Sequence, residues 1–391
     1  MPPGEHYITI AVISHDHLGA QKTVKLRLNR RALSGMGVHN GSAPIKGKDE
    51  EGQRGQRNTR KAISREGKVG QSVHGLASKL MGKNPSLEIL GLQALPKLVK
   101  RFDFELEDFM TYSDLYRLNP EGSKEAWHNC GKILNRLLEE KRVSWWDVYL
   151  SSDIGMERIA LAKDIGLEED DTVLDVGCGR GYFTVAAAKL SRAAIGLDLM
   201  DGAGRKGWWN NFIDSITRLD LKHKIIGIKA DAQIIPLRDC SVDKIVAVHS
   251  IRNLENKQVI QNSIREMNRV LSKNGEMAIA ETIPDARNKS QEAHLSFYEC
   301  KCKYSWGDIF YFSEKELLQI LTEAGLKDLH VEIADYNLSA APPIFYLNTS
   351  RLKKEQVTTA QKEYAEAVEM VKKYGETSPP TAIIKATKHR G

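Results

Sequence analysis

Cysteine is scarce in this 391-residue chain, and no stretch of it is both long and apolar. The five cysteines, Cys130, Cys178, Cys240, Cys300 and Cys302, include no C-x-x-C pair. An odd number at these spacings makes neither a disulfide framework nor an ordinary zinc site, so no metal is expected. Cys300 and Cys302 flank Lys301 and read as reduced bystanders. No apolar run reaches the roughly 18 residues needed to span a bilayer. The apolar stretch nearest the N-terminus, Ile8 to Ile13, is too short for a secretory core and follows Glu5 and His6, not basic residues. A soluble, cytoplasmic protein is expected.

The charge is unevenly placed. Residues 1–70 hold 13 Lys or Arg against 6 Asp or Glu, about +7, so the rest of the +6 chain sums to about −1. A basic balance that would argue for nucleic acid is therefore confined to this segment. Within it, YITIAVI and TVKLRL alternate as a hairpin would. Residues 33–72 are rich in Gly, Ser, Lys, Arg and Gln. Such a segment buries too little apolar surface to offset its ordering entropy, and residues 1–72 read as a basic, flexible extension.

From 73 to 150 apolar residues return in helical spacing, with breaks expected near Pro85 and Pro96 and a longer helix from Ser123 to about Arg142. This region, residues 73–150, reads as a small helical domain or a cap over the active site. In SWWDVYLSSDIGMERIALAKDIGL (144–167), Ile154 to Leu161 has helical spacing, and Gly166 is the expected stop.

The chain is organised around DTVLDVGCGRGYF (171–183). Thr172 to Val176 reads as a buried strand, Gly177 to Gly181 as a turn with little side-chain bulk, and Tyr182 onward as a helix. Strand, glycine loop and helix N-terminus make a cradle for a nucleoside ligand. A second strand, Ala193 to Leu197, ends in Asp198, where a carboxylate can grip a ribose diol. The loop is G-x-G-x-G, not G-x-G-x-x-G, and Asp175 precedes it. That carboxylate repels a pyrophosphate and suits a ligand with a cationic amino-acid end, which points to S-adenosylmethionine and disfavours NAD.

These residues resemble the class I S-adenosylmethionine-dependent methyltransferases, from about Ile154 to Leu338 with a final strand near the C-terminus. The resemblance implies an α/β fold with a doubly wound, mostly parallel seven-stranded sheet (Rossmann-like) behind an N-terminal, mainly helical extension. The cofactor-binding domain would be 151–391, with a helical insertion at about 345–378. It implies that Asp175, Gly177, Cys178, Gly179 and Gly181 lie beside the methionine part of the cofactor. Asp198 with Leu199 would hold the ribose, and Asp231 and Ala232 the adenine edge. HSIRNL (249–254) and REMNRVLSKNGEMAIAE (265–281) are similar to the ubiquinone/menaquinone-biosynthesis type, whose equivalent segment carries an Arg-Asn pair.

The remaining strands are expected at Ile225–Ala230, Asp243–His249, Glu276–Glu281, Leu329–Tyr336 and TAIIKATK near the end, the last inserted antiparallel as the resemblance implies. Helices are expected at 257–271, at 312–325 with Ser313 and Glu316 as a capping box, and at 350–374.

Methyl transfer needs a nucleophile held in line with the methyl group, and a base when carbon or phenolic oxygen attacks. His249, ending the fourth strand, is the first candidate for the catalytic base and a further cofactor contact. Arg252 and Asn253 follow it, and His294 and Tyr298 share one helix face. These four, with Trp146 and Tyr149, are the candidate substrate contacts. The leading expectation is methyl transfer to a small-molecule, quinone-like or lipid-like acceptor. An RNA methyltransferase using residues 1–70 is second, although HSIRNL lacks the Asn/Asp-Pro-Pro-aromatic motif that clamps a base. A cofactor-binding protein without chemistry is third.

Overall fold

The computed structural model describes residues 8–11, 22–24, 85–101, 131–200, 207–306, 311–339, 347 and 352–388. At its centre lies β3 (Thr172–Val176), paired in parallel with β4 (Ala193–Asp198) and with β6 (Val242–Val248). Beyond β4 comes β5 (Ile225–Lys229), and beyond β6 comes β7 (Leu271–Thr282), both again parallel. β9 (Thr381–Thr387) then runs antiparallel between β7 and β8 (His330–Ala334). This is the seven-stranded, mostly parallel sheet of the methyltransferase fold.

A hairpin extends it. β1 (Ile8–Ala11) and β2 (Lys22–Val24) pair antiparallel, and β1 adds antiparallel to β5, giving the order β2-β1-β5-β4-β3-β6-β7-β9-β8. β1 falls within YITIAVI, whereas β2 begins at Lys22, one residue before TVKLRL, and shares only Thr23 and Val24 with it. The expected flexible segment at 33–72 lies outside the described residues.

Strands buried on both faces alternate their side chains between two cores. One face carries Val173, Ala194, Val246 and Ala278 against α1 (Pro85–Arg101), α3 (Asp153–Ile165), α4 (Tyr182–Leu190) and α5 (Trp208–Arg218). The other carries Leu174, Ile195, Ile245 and Met277 against α6 (Lys257–Val270) and α8 (Glu314–Glu323). The two sets are consecutive residues on each strand, as a doubly wound sheet requires.

The N-terminal helical region differs from the expectation of short, interrupted helices. α1 runs unbroken from Pro85 to Arg101 with Pro96 inside it. Proline is tolerated at the start of a helix, where its missing N–H has no partner to lose. At Pro96 the break is outweighed by burial of Leu87, Leu90, Ala94, Leu95 and Leu98. Helical residues 131–139 and α2 (Trp145–Ser151) follow, the latter opened by a Ser144–Asp147 capping box. α3 starts at the Ser152 cap and stops at Gly166, which is left-handed with φ 83°. Ser313 and Glu316 cap α8 reciprocally.

Between β8 and β9 lies α9 (Lys354–Tyr374), which buries Ala367 and Val371 against Ala293 and Phe297 of α7 (Lys289–Lys301). α7 continues as a wider π-type turn over Cys302–Trp306. Cys178, Cys300 and Cys302 are buried free thiols and Cys240 is exposed, while Cys130 lies outside the described residues. Among the described residues, no helix is long and apolar enough to cross a membrane.

Candidate active site

The carboxyl ends of β3, β4, β5 and β6 converge on the glycine loop. Gly177 and Cys178 both donate their backbone N–H to Leu197 O, at 2.7 and 3.1 Å, which ties the loop to β4. Gly177 has φ 76°, and a Cβ there would lie 2.6 Å from Ser250 Cβ. Only glycine permits both the backbone conformation and that approach. Ser250 Oγ in turn donates to Val176 O at 2.9 Å, so the loop after β6 is fastened to the end of β3. Gly181, at φ 82°, caps α4 without any side-chain hydrogen bond. The first amides of α4 therefore face the loop mouth as donors.

Three carboxylates ring this mouth. Asp198 accepts from Gly179 N–H through Oδ2 (2.9 Å) and from Met200 N–H through Oδ1 (2.7 Å). A carboxylate offers about four lone-pair sites, so this residue type can accept from hydroxyl donors as well as from backbone amides. Asp231 follows β5 and accepts from Gln233 N–H at 2.8 Å, with Ala232 beside it. Asp175 is 1% exposed and accepts from Thr184 Oγ1 at 2.6 Å. Burial pushes its carboxyl up to about 7, while Thr184 and Arg158 pull the other way. Arg158 itself is pushed down to about 10 by burial. Leu199 is exposed and follows Asp198 directly, and Cys178 is buried with its thiol pushed up by burial.

The donor set answers each part of S-adenosylmethionine. Uncapped helix amides suit a carboxylate, Asp175 an amino group, Asp198 a diol and Asp231 an adenine edge.

His249 stands at the end of β6 with φ 49°. Its Nε2 lies 3.1 Å from Glu157 Oε1 and its Nδ1 3.3 Å from Thr282 Oγ1. A carboxylate only accepts, so Nε2 carries the proton and Nδ1 takes the threonine hydroxyl. Burial first, then Arg158 and Arg252, hold this imidazole well below its ordinary range, and it is neutral. Glu157 is also paired with Arg158.

Arg252, Tyr298 and His294 are brought together beyond β6. The Arg252 guanidinium lies over the Tyr298 ring, 5.6 Å from its centroid, and over Tyr311, at 4.7 Å. Its Nε and Nη1 are buried and have no hydrogen-bond partner among the described residues. Asn253 is exposed and donates its Nδ2 to His249 O at 3.1 Å. Trp146 lies apart from this cluster, against the end of α5, and Tyr149 is buried behind the glycine loop, near Asp175 and Arg158. Trp146 Nε1 donates to Leu219 O (3.0 Å), and Tyr149 Oη donates to Tyr182 O (2.6 Å).

Tyr311, Glu376, Ser339, Glu157 and Arg158 were not singled out from the sequence. Glu157 and Arg158 sit in a helix recognised there by its apolar spacing. The others lie on loops with no periodic signal.

Residues 174–279 match a family profile described as a methyltransferase domain. The chain is similar to a demethylmenaquinone methyltransferase of Staphylococcus aureus (strain JH9), 26% identical over 192 residues, covering 44% of this chain and 75% of that protein. Among solved structures, it is similar to a SAM-dependent methyltransferase from Aquifex aeolicus, at 18% identity and a TM-score of 0.38, covering 59% of this chain and 89% of that one. It is also similar to a cyclopropane-fatty-acyl-phospholipid synthase-like protein from Lactobacillus casei ATCC 334, at 14% identity and a TM-score of 0.44, covering 62% and 92%. The sheet order and the profile match over residues 174–279 support one class: an S-adenosylmethionine-dependent methyltransferase of class I. Its cofactor is S-adenosyl-L-methionine.

Proposed function

We propose that this protein methylates a small ring-bearing acceptor of the quinone or phenol type. The observation that carries the reading is the Arg252 guanidinium, which lies against the stacked pair of Tyr298 and Tyr311 with two buried nitrogens unpartnered among the described residues. Flat aromatic walls and a cation suit a planar acceptor bearing an oxygen that is, or becomes, anionic. The similarity to a demethylmenaquinone methyltransferase supports the same acceptor class. Arg252 lies just beyond a strand's carboxyl end, where open α/β sheets bind ligands.

The cofactor supplies a methyl group activated on a sulfonium. In this reading the amides of Gly177–Gly181, with Cys178 beneath them, and Asp175 orient its amino-acid end. Asp198, with Leu199 alongside, holds the ribose hydroxyls, and Asp231 and Ala232 the adenine edge. His249, fixed between Glu157 and Thr282, forms a neutral wall between the cofactor and Arg252. Asn253 orients an acceptor oxygen at the rim. The chain's main contribution is alignment, since the displacement needs the nucleophile close and collinear.

Calorimetric titration with S-adenosylmethionine, S-adenosylhomocysteine and NAD, followed by an acceptor screen of quinones, hydroquinones and phenols, tests this reading. Binding of the first two alone and methylation within the panel is the expected result. A cofactor-binding protein that methylates none of them would sink the acceptor class.

A further inference from the structure

Behind Arg252, groups from four separate segments form one hydrogen-bonded line. Ser339 Oγ, after β8, donates to Glu376 Oε2 at 2.6 Å. The other oxygen of Glu376, which lies between α9 and β9, pairs with His294 Nδ1 on α7. His294 Nε2 lies 2.7 Å from the hydroxyl of Tyr311, just before α8. The side chains of His294 and Glu376 are each 3% exposed. With the carboxylate accepting, the imidazole presents Nδ1–H to Glu376 and a lone pair at Nε2 to the Tyr311 hydroxyl. This is the order of an acid–histidine–hydroxyl triad with a phenol in the last place.

Packing alone does not account for the line. A buried acid–imidazole pair costs desolvation that apolar residues of similar size would avoid. Its outer end meets a second feature that points to a ligand, the Arg252 guanidinium with its two unpartnered nitrogens. Tyr311 also stacks on Tyr298, with centroids 4.6 Å apart and rings inclined by 9°. The π-type turn at Cys302–Trp306 lies between these two tyrosines in the chain, and such turns recur at functional sites.

We propose that Tyr311, His294 and Glu376 form a proton relay that deprotonates a weakly acidic hydroxyl acceptor, a phenol or hydroquinone, as it receives the methyl group. This rests on the methyl-transfer reading above. The acceptor O–H bond breaks and its proton passes to Tyr311 Oη, while the Tyr311 proton passes to His294 Nε2. The electron pair left on the acceptor oxygen forms the bond to the methyl carbon. The C–S bond breaks, its pair returns to sulfur, and S-adenosylhomocysteine is left. The positive charge lost from sulfur reappears as an imidazolium beside Glu376.

Arg252 faces the acceptor oxygen as its negative charge develops. Burial pushes the Tyr311 phenol up, so it hands a proton onward and does not hold a charge. The charged or titratable groups that act on it are Arg252 after β6, His294 and Tyr298 on α7, and Glu376, while Glu281 on β7 acts on Arg252 and Lys301 on α7 lies over Tyr298. Tyr311 is the catalytic residue of this relay. His294 and Glu376 act through it.

The test uses the full chain with S-adenosylmethionine and phenols of graded acidity, from phenol itself to 4-nitrophenol, which is already ionised in mildly alkaline buffer. Tyr311→Phe should lower kcat on phenol by about 100-fold, the usual scale of a proton acceptor. On 4-nitrophenol the loss should stay within about threefold, because no proton remains to be moved. Glu376→Gln, which keeps the hydrogen bonds but removes the charge, should show a smaller loss with the same dependence on acidity. Affinity for S-adenosylhomocysteine should stay within about twofold of wild type in both, which shows that the cofactor site is intact. If Tyr311→Phe does not fold, Glu376→Gln carries the test alone. Losses equal across the series would overturn the relay and leave Tyr311 a packing residue. A wild-type protein that binds cofactor but methylates no phenol or hydroquinone would overturn the acceptor class and the relay with it.

Discussion

Asp198 serves two purposes at once, and its substitution separates them. It already receives the N–H groups of Gly179 and Met200, which shapes the loop, and in the proposed function it also receives the ribose hydroxyls. Asp198→Ala should weaken S-adenosylmethionine by about 1.5–3 kcal/mol, the scale of lost charge-assisted hydrogen bonds. Asp198→Asn keeps one acceptor oxygen and should lose less. Calorimetry checks both, and wild-type affinity in the alanine variant would mean that the ribose lies elsewhere. Gly177 is the second informative residue. Alanine there adds about 1–2 kcal/mol for a left-handed backbone and about 1–3 kcal/mol for overpacking against Ser250. A lowered urea midpoint without cofactor, and weaker cofactor binding, is the expected outcome for Gly177→Ala.

At the scale of elements, Gln93 joins three segments that the chain order keeps apart. Its Nε2 donates to Ser339 O (2.7 Å) and its Oε1 accepts from Ile154 N–H (2.9 Å), while the residue is 4% exposed. It therefore docks α1 on the start of α3 and on the loop that carries Ser339 toward Glu376. Gln93→Ala leaves a buried carbonyl and a buried amide unsatisfied and should cost about 2–4 kcal/mol, read as a lowered urea midpoint. Retained stability would mean that α1 docks through its leucines alone.

Elements of this kind were unevenly legible in the sequence. β3, β4, β5 and β6 fall within a residue or two of where their β-branched, apolar runs place them, whereas β7 begins at Leu271, five residues before the expected Glu276. The α8 boundaries follow from Ser313 and Glu316, because capping is local chemistry. α1 was less legible, since Pro96 signals a break and the buried leucines that override it act only after packing. The glycine loop and the strand-tip acids stand out by spacing. Tyr311, Glu376 and Ser339 do not: their meeting with His294 depends on α9 packing against α7, which no local pattern encodes.

For the whole molecule, two buried groups bend the pH dependence of stability in opposite directions. Burial pushes the Asp175 carboxyl up to about 7. Between the unfolded value near 4 and that point, the native state keeps a proton that the unfolded chain has released. Stability therefore falls as pH rises through this window. His249 does the reverse, because burial, Arg158 and Arg252 hold it well below its ordinary range. Below about pH 6.5 the unfolded chain protonates this histidine and the native state does not, so stability falls as pH drops. From about pH 4 to 6.5 the two slopes oppose one another, and removing one group exposes the other. Relative to wild type, Asp175→Asn should gain stability as pH rises from about 4 to 7, and His249→Gln should gain it as pH falls from about 7 to 5. Urea denaturation across this range without cofactor measures both, and a pH-independent offset in either variant would refute the assigned shift. Saturating S-adenosylmethionine should then shrink the difference between wild type and Asp175→Asn above pH ~6, because its cationic amino group favours the Asp175 carboxylate. An undiminished difference would place the amino-acid end of the cofactor away from Asp175.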